Sequence, residues 1–586
     1  MDSATRERCP PRRVLVLVAA LGLVAGMIVA TAGLAGAGVT KCQAKNLTQD
    51  TKSLDLQVLI DAANPGETIQ IKGICVGNFS ITKDLTLLGK ATKTAPQATL
   101  AAVWPIDPTI PVSNGNGAVL VVSDSVTLTD LLITGGGTPY DGGGIRNSGA
   151  LTLNDSTVTN NRAGNGGGIW NAWWARLTLN GSSSVSGNNA EVGGGIFNDG
   201  QPEIGIGPIV TLNDSSSVSG NVAFVPVSGN TSSGNGGGIW NNGATVTLND
   251  SSSVSGNTAL GSGGGLWNNA GTVAMYGSSS VSGNTAWDFG GGILNRDTVT
   301  MNDSSSVSGN RANYDNDVYR GGGGIYNTLG GVTLNDSSSV SGNTAGVQGG
   351  GIYTNGGTVT LSDSSSVSEN NAEIGGGILN LAGTVTMDGS SSVSGNTSGN
   401  GGGIFNGGTV TMNGSSSVSG NTSSGNGGGI FNGGTLSRNG AVTLNDSSSV
   451  SGNAALGGGG IYNCPCSSLT NTVTLNDSSS VSGNTAAEIG GGIFNHFGTV
   501  TLSDTSSVSG NTSSGSGGGI YNLAGTVTMD DSSSVTGNRA DYDDVGSETG
   551  GGIYGCAIGA VDGINVNDNY LGSTGSNENN LAGCST

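Results

Sequence analysis

The string Gly-Gly-Gly followed by Ile or Leu occurs fifteen times, ending at Ile145, Ile169, Ile196, Ile239, Leu266, Ile293, Ile325, Ile352, Ile378, Ile404, Ile430, Ile461, Ile493, Ile520 and Ile553, most often 26 or 27 residues apart. Repetition at that period marks a solenoid, in which each unit buries its apolar side only by stacking on its neighbours. Between anchors runs a second constant string, such as residues 245–258 (TVTLNDSSSVSGNT), whose apolar positions are Val246, Leu248 and Val254. A period of two turns Val246 and Leu248 to one face and the Thr residues to the other, and likewise turns Val254 in and its flanking Ser out. The dipeptide between those strands is mostly Asn-Asp or Asn-Gly, as at Asn249 with Asp250 and Asn413 with Gly414. Both suit a left-handed corner. The repeat therefore predicts an all-β solenoid with three short strands per coil. Stacked at about 4.8 Å, the anchored coils and a few leading ones make a rod of roughly 80 Å.

Composition offers a rival. With 110 Gly in 586 residues and only 10% charged, the chain has the look of sequences that cannot offset the entropy of ordering. The fixed apolar register argues against disorder, because an unfolded chain has no reason to keep Val at the same place in every copy. Charge narrows function further. Residues 1–93 carry eleven cations against seven acids, and the remainder carries eight Arg against 33 acids, no Lys and the single His496. Nucleic acid is excluded as a partner, since phosphate binding needs clustered Lys and Arg, and enzyme roles that need Lys or paired His are largely removed.

At the N-terminus, Arg6, Arg8, Arg12 and Arg13 precede an apolar and small-residue run over 14–39 with Ala35, Gly36 and Ala37 near its end. This reads as an export signal over 1–37, with an uncleaved anchor as the alternative and the sole route to a membrane. Residues 38–110 are then an N-terminal cap and first coils, 111–555 the repeat array and 556–586 a C-terminal cap. A helix over 53–63, with Ser53 as its N-cap and a stop at Asn64, Pro65 and Gly66, would close the open end of the stack. Six Cys beyond Cys9 fall in sequence-local pairs: Cys42 with Cys75, Cys464 with Cys466, and Cys556 with Cys584. In an exported chain these read as disulfides. The Cys-Pro-Cys run also admits two free thiols or a redox or metal motif.

The run LIDAANPGETIQIKGICVGNFSITKDLTLLG, followed by coils of GGGI.N and SVSGNTA, resembles exported bacterial proteins with a right-handed parallel β-helix of the pectin-lyase type. It also resembles the polymorphic outer membrane protein repeat family. The resemblance spans about residues 54–586 and implies a single chain wound into a right-handed β-helix at an extracellular or cell-surface location. It implies little about activity, because this scaffold carries lyases, hydrolases, adhesins and passive rods alike. The chain ends 33 residues after Ile553, so a membrane barrel for self-export is not expected.

The residue after the anchor is aromatic in twelve of fifteen coils, among them Trp170, Trp240, Trp267, Tyr326, Tyr353, Phe405 and Phe431. These are the candidate binding residues. With Ile inside, they form an outward ladder able to meet a polysaccharide or a cell-surface ligand; the alternative turns them inward as core stacks. The Asp after the corner Asn, as in Asp214, Asp250, Asp303, Asp336, Asp446 and Asp477, gives way to Gly181, Gly277, Gly389 and Gly414 in other coils, which favours a turn role over Ca²⁺ ligation. Two acidic insertions hold the candidate cation ligands Asp315 and Asp317, and Asp541, Asp543 and Asp544. Ca²⁺ is the one cofactor they suggest, with solvated insertions as the plainer reading. Paired Thr ranks such as Thr358 with Thr360 and Thr384 with Thr386 also raise ice binding, although strands favour Thr in any case. Asn257, Asn284, Asn310 and Asn343 read as turn stacks. His496 reads as a surface residue. No catalytic residue is legible: the eight Arg beyond residue 93 are scattered, and near-identical coils leave little room for a unique site. The expectation is a non-catalytic surface rod of adhesin type, with a polysaccharide lyase or glycoside hydrolase as the alternative.

Overall fold

In the computed structural model each anchor string becomes a strand that pairs in parallel register with the same string one coil on. The structure describes residues 41–93, 95–102, 117–200, 207–224, 234–312, 321–433, 439–465, 470–530, 532–540, 550–555, 565–571 and 581–582. The N-terminal segment over 1–37, the acidic insertions with Asp315, Asp317, Asp541, Asp543 and Asp544, and Cys466, Cys556 and Cys584 lie outside the described residues.

One coil serves for all. Ile239–Asn242, Thr245–Leu248, Ser253–Ser255 and Thr258–Ala259 are four strands in succession, and each pairs in parallel with its counterpart in the next coil, Ile239 with Leu266, Val246 with Val273, Val254 with Val281 and Ala259 with Ala286. The chain is thus a parallel β-helix. To the three strands read from the repeat the structure adds a fourth, only two residues long in this coil. Ile239, Val246, Leu248, Val254 and Ala259 are fully buried, and the first four join their counterparts in one apolar core running from Ala44 to Val566. The corner Asp residues take left-handed backbone, as at Asp250 (φ 57°), and so do Gly181 and Gly277 in the same rank. Interchange of Asp with Gly follows from that conformation, which few other side chains accept.

The N-terminal end is closed edge by edge. Helix α1 (Leu56–Ala62) is shorter than its sequence suggests: Asp55, not Ser53, is the N-cap, accepting from the Gln57 N–H at 3.0 Å, while Ser53 accepts from the Asp55 N–H at 3.0 Å. Leu56, Leu59 and Ile60 are its buried face. From α1 the Gln57 carboxamide donates to the Ser80 carbonyl at 3.0 Å and accepts from the Ser80 N–H at 2.9 Å. It thereby pairs the free edge of strand Phe79–Ile81, which would otherwise template aggregation. The strand Gln43–Asn46 covers the edge of Glu67–Lys72 by antiparallel pairing, and a Cys42–Cys75 disulfide fastens this cap to the first coil.

Glu67 holds the cap's polar centre. Its carboxylate accepts from Asn46 Nδ2 at 2.7 Å, from the Asn64 N–H at 2.9 Å and Nδ2 at 3.0 Å, and from Gln49 Nε2 at 2.9 Å. The hydrogen bonds from Asn46 and Asn64 outweigh desolvation and hold its pKa at about 2, below an ordinary 4.5. A depressed carboxylate stabilises the fold fully above the unfolded value and loses that contribution as pH falls through the folded one. Protease resistance and amide protection of residues 41–93 are therefore expected to decline from about pH 4.5 towards pH 2. The Glu67→Gln variant should lack this pH dependence, and an identical acid profile would refute the assignment.

Candidate functional site: the outward ranks of the coils

Alternation along Ile239–Asn242 puts Ile239 and Asn241 inside and Trp240 outside. Stacking repeats this choice, so the residues after the anchors form one outward rank: Arg146, Trp170, Phe197, Trp240, Trp267, Leu294, Tyr326, Tyr353, Leu379, Phe405, Phe431, Tyr462, Phe494, Tyr521 and Tyr554 in register. Of the two orientations open from sequence, the structure has Ile inside and the rings outside. The rings nevertheless lie largely against one another. Trp240 and Trp267 stack at 4.6 Å, Tyr326 and Tyr353 at 4.4 Å, and Phe405, Phe431, Tyr462, Phe494, Tyr521 and Tyr554 continue as one stack with centroids 4.5–5.5 Å apart. The inner rings lie face to face with neighbouring coils, leaving at most an edge for solvent. Trp267, Tyr353 and Phe494 are buried outright, so of the candidate binding rings Trp267 and Tyr353 offer no open face to a ligand. Burial, with Cys464 second, pushes the Tyr462 phenol up to about 12, and burial raises Tyr353 and Tyr521 as well.

On the next sheet the outward residues are hydroxyls. Thr358, Thr384 and Thr409 stand exposed in one rank and Thr360, Thr386 and Thr411 half-buried in a second, paired coil to coil. At the following corner the carboxylates bridge coils: Asp250 accepts from the Asp214 N–H at 3.1 Å, Asp336 from the Asp303 N–H at 3.0 Å and Asp477 from the Asp446 N–H at 3.0 Å. This is the turn role read from the sequence, with an added stacking function.

Two buried Asn ladders run inside the corners. The Asn of each SGN string continues from Asn161 to Asn569, including Asn257, Asn284, Asn310 and Asn343, with Nδ2 donating to the next Oδ1 at 3.0 Å in every step from Asn257 to Asn370. The second, two residues after the anchor, includes Asn171, Asn198, Asn241 and Asn268, linked at 2.8 Å. The sequence reading passed over this second ladder, although the constant GGGI.N string was its signal.

Two local features depart from the regular coil. His496, read from sequence as a surface residue, is half-buried with Nδ1 3.3 Å from Cys464 Sγ, a neighbour 32 residues away in sequence and one coil away in space. Near the N-terminal end, Arg146 stacks over Trp170 at 4.8 Å. Beside them, the carboxyl of Asp199 is raised above its ordinary value by burial, although hydrogen bonds from Trp170, Asn242 and Trp173 oppose the shift. Among the described residues no group of three or more Asp, Glu, His or Cys could hold a metal ion.

A parallel β-helix with ring, hydroxyl and carboxylate ranks repeated on its outer faces is a rod, with its chemistry spread along the surface. The comparisons agree with that class: residues 337–355 and 505–523, each spanning an SVSGNT string and the GGGIY anchor after it, match the Chlamydia polymorphic membrane protein repeat. The matched coils are thus of the kind found in polymorphic membrane proteins. No curated protein and no solved structure matches the chain.

Proposed function

We propose that the protein is an exported, non-catalytic rod of the bacterial surface, adhesin-like, which meets a polysaccharide or a neighbouring cell surface through its repeated outer faces. The observation that carries this reading is the in-register rank of exposed Thr358, Thr384 and Thr409 beside Thr360, Thr386 and Thr411. Such a rank repeats one weak contact at each coil, and repetition converts weak contacts into avidity. The aromatic ladder joins it through ring edges, since the inner ring faces are taken up by stacking. Near-identical coils favour repeated binding over a single catalytic constellation.

The test is a long-chain glycan array probed with the wild type and with a Thr358→Val, Thr384→Val, Thr409→Val variant, which keeps the β-branched shape and removes three hydroxyls. Binding is expected to fall about tenfold, equivalent to roughly 1.4 kcal/mol, with an unchanged melting temperature. Equal binding by both proteins, or new reducing or unsaturated ends released from the glycans, would refute the reading.

A further inference from the structure

The corner at residues 172–175 differs from its counterparts. Six described coils turn out of the anchor strand on a left-handed residue four places after the anchor: Gly243 (φ 56°), Ala270 (φ 55°), Leu329 (φ 64°), Gly356 (φ 72°), Phe497 (φ 52°) and Ala524 (φ 55°). Here the corner is one residue longer and the left-handed position holds Trp174 (φ 71°). The Ala175 N–H donates to the Ala172 carbonyl at 3.0 Å and closes a four-residue turn whose third position is usually Gly. A bulky aromatic at positive φ is an outlier that persists only where its surroundings impose it, and such outliers gather at functional sites. Ala172 and Ala175, both buried, pin the two ends of the turn, and Trp173 and Trp174 project from it 49% and 58% exposed.

We propose that this corner binds a neutral pyranose polysaccharide, with Trp173 and Trp174 as its stacking platform. Unlike the inner rings of the ladder, these two indoles are largely open to solvent. The Asp199 carboxylate lies within electrostatic reach of Trp170, Trp173 and Asn242. The closed turn fixes the backbone that carries both indoles, so binding has little further chain to order. The surroundings select the ligand. Asp199 and the nearby Asp141, in a chain of net charge −21, disfavour uronans. Arg146, exposed and stacked on Trp170, and Asp141, within electrostatic reach of Asp199, are polar groups of the adjoining coil that suit sugar hydroxyls. Those charged groups would be costly to bury in an apolar protein interface or in lipid. The inference rests on the surface-rod reading for its setting and adds a defined site and a ligand class.

The test titrates the full exported chain with cellohexaose, mannohexaose, xylohexaose and hexagalacturonate by calorimetry. At least one neutral hexasaccharide should bind, and bind more tightly than hexagalacturonate. Trp174→Gly suits the backbone and should keep or raise the melting temperature; it and Trp173→Ala should each weaken binding roughly tenfold or more, as truncating an aromatic hot spot does. Absence of neutral binding, retention in both variants or preference for hexagalacturonate would overturn the site. The triple Thr→Val variant should bind the hexasaccharide normally. Loss there, with normal binding by the Trp variants, would remove the corner and leave the rod reading standing.

Discussion

Gly351→Ala is expected to destabilise the rod by about 3 kcal/mol, the upper end of overpacking penalties, and to split one cooperative melt into two. An added Cβ would lie 2.6 Å from the Gly377 carbonyl oxygen and 2.8 Å from Asn370 Nδ2. Neither can move away: Gly377 belongs to the backbone of the next coil, and Asn370 is fixed in the buried Asn ladder. The same contacts recur at Gly238, Gly265, Gly324 and Gly403, so the third Gly of each anchor lets adjacent coils touch. In a one-dimensional stack stability is a sum of coil and interface terms, and loosening one interface uncouples the two sides. Gly420→Ala is the control. Its position has φ 63° and nothing within 4 Å, so only left-handed strain of roughly 1–2 kcal/mol arises; Glu369 already occupies the equivalent place at φ 57°. Calorimetry with limited proteolysis reads both. Equal melts for the two variants would refute a steric role for the anchor glycine.

The fold was legible because its two periods are both short-range. The 26–27-residue recurrence gives the coil, and the alternation in TVTL and SSVSG gives inside and outside, so strands such as Phe79–Ile81 appear where the sequence places them. The fourth strand was not legible because two residues, as in Thr258–Ala259, show no alternation. The ring ladder was half legible: alternation sets Trp240 opposite Ile239 but cannot say whether the next coil covers its face. That cover comes from Trp267, and in other coils from Leu294 or Leu379. Cys464 and His496 meet because a coil brings together residues 32 apart, a spacing that local motif reading does not scan. The Trp173 and Trp174 corner was visible only as an irregularity; its significance rests on a backbone angle and on the exposure of both indoles, neither of which composition reveals.

Asn343→Ala should cost about 3 kcal/mol although it removes only a small polar group. Asn343 Oδ1 accepts from the Asn310 N–H at 2.9 Å and from Asn310 Nδ2 at 3.0 Å, and its Nδ2 donates to the Val307 carbonyl and to Asn370 Oδ1, both at 3.0 Å. Truncation strands the Asn310 N–H in a buried corner, and an unpaired buried donor costs roughly 1–3 kcal/mol before the cavity is added. Asn343→Asp should be worse at neutral pH. It keeps the acceptor but loses both donations and buries a charge, so its carboxyl would be raised in the folded state. The folded form then binds the extra proton, and the deficit of the Asp variant should shrink as pH falls through that raised pKa. Asn476 supplies the contrast. Its Nδ2 also donates to an Asn, Asn445, at 2.9 Å, but on the partly exposed corner rank, where Tyr276, Ser362 and Ser503 stand in other coils. Water can replace its partner there, and Asn476→Ala should cost less than about 1 kcal/mol. Urea denaturation of the three variants at pH 7, and of Asn343→Asp at pH 4, separates the cases. Equal losses at Asn343 and Asn476 would mean that the buried ladder contributes no more than an ordinary surface hydrogen bond.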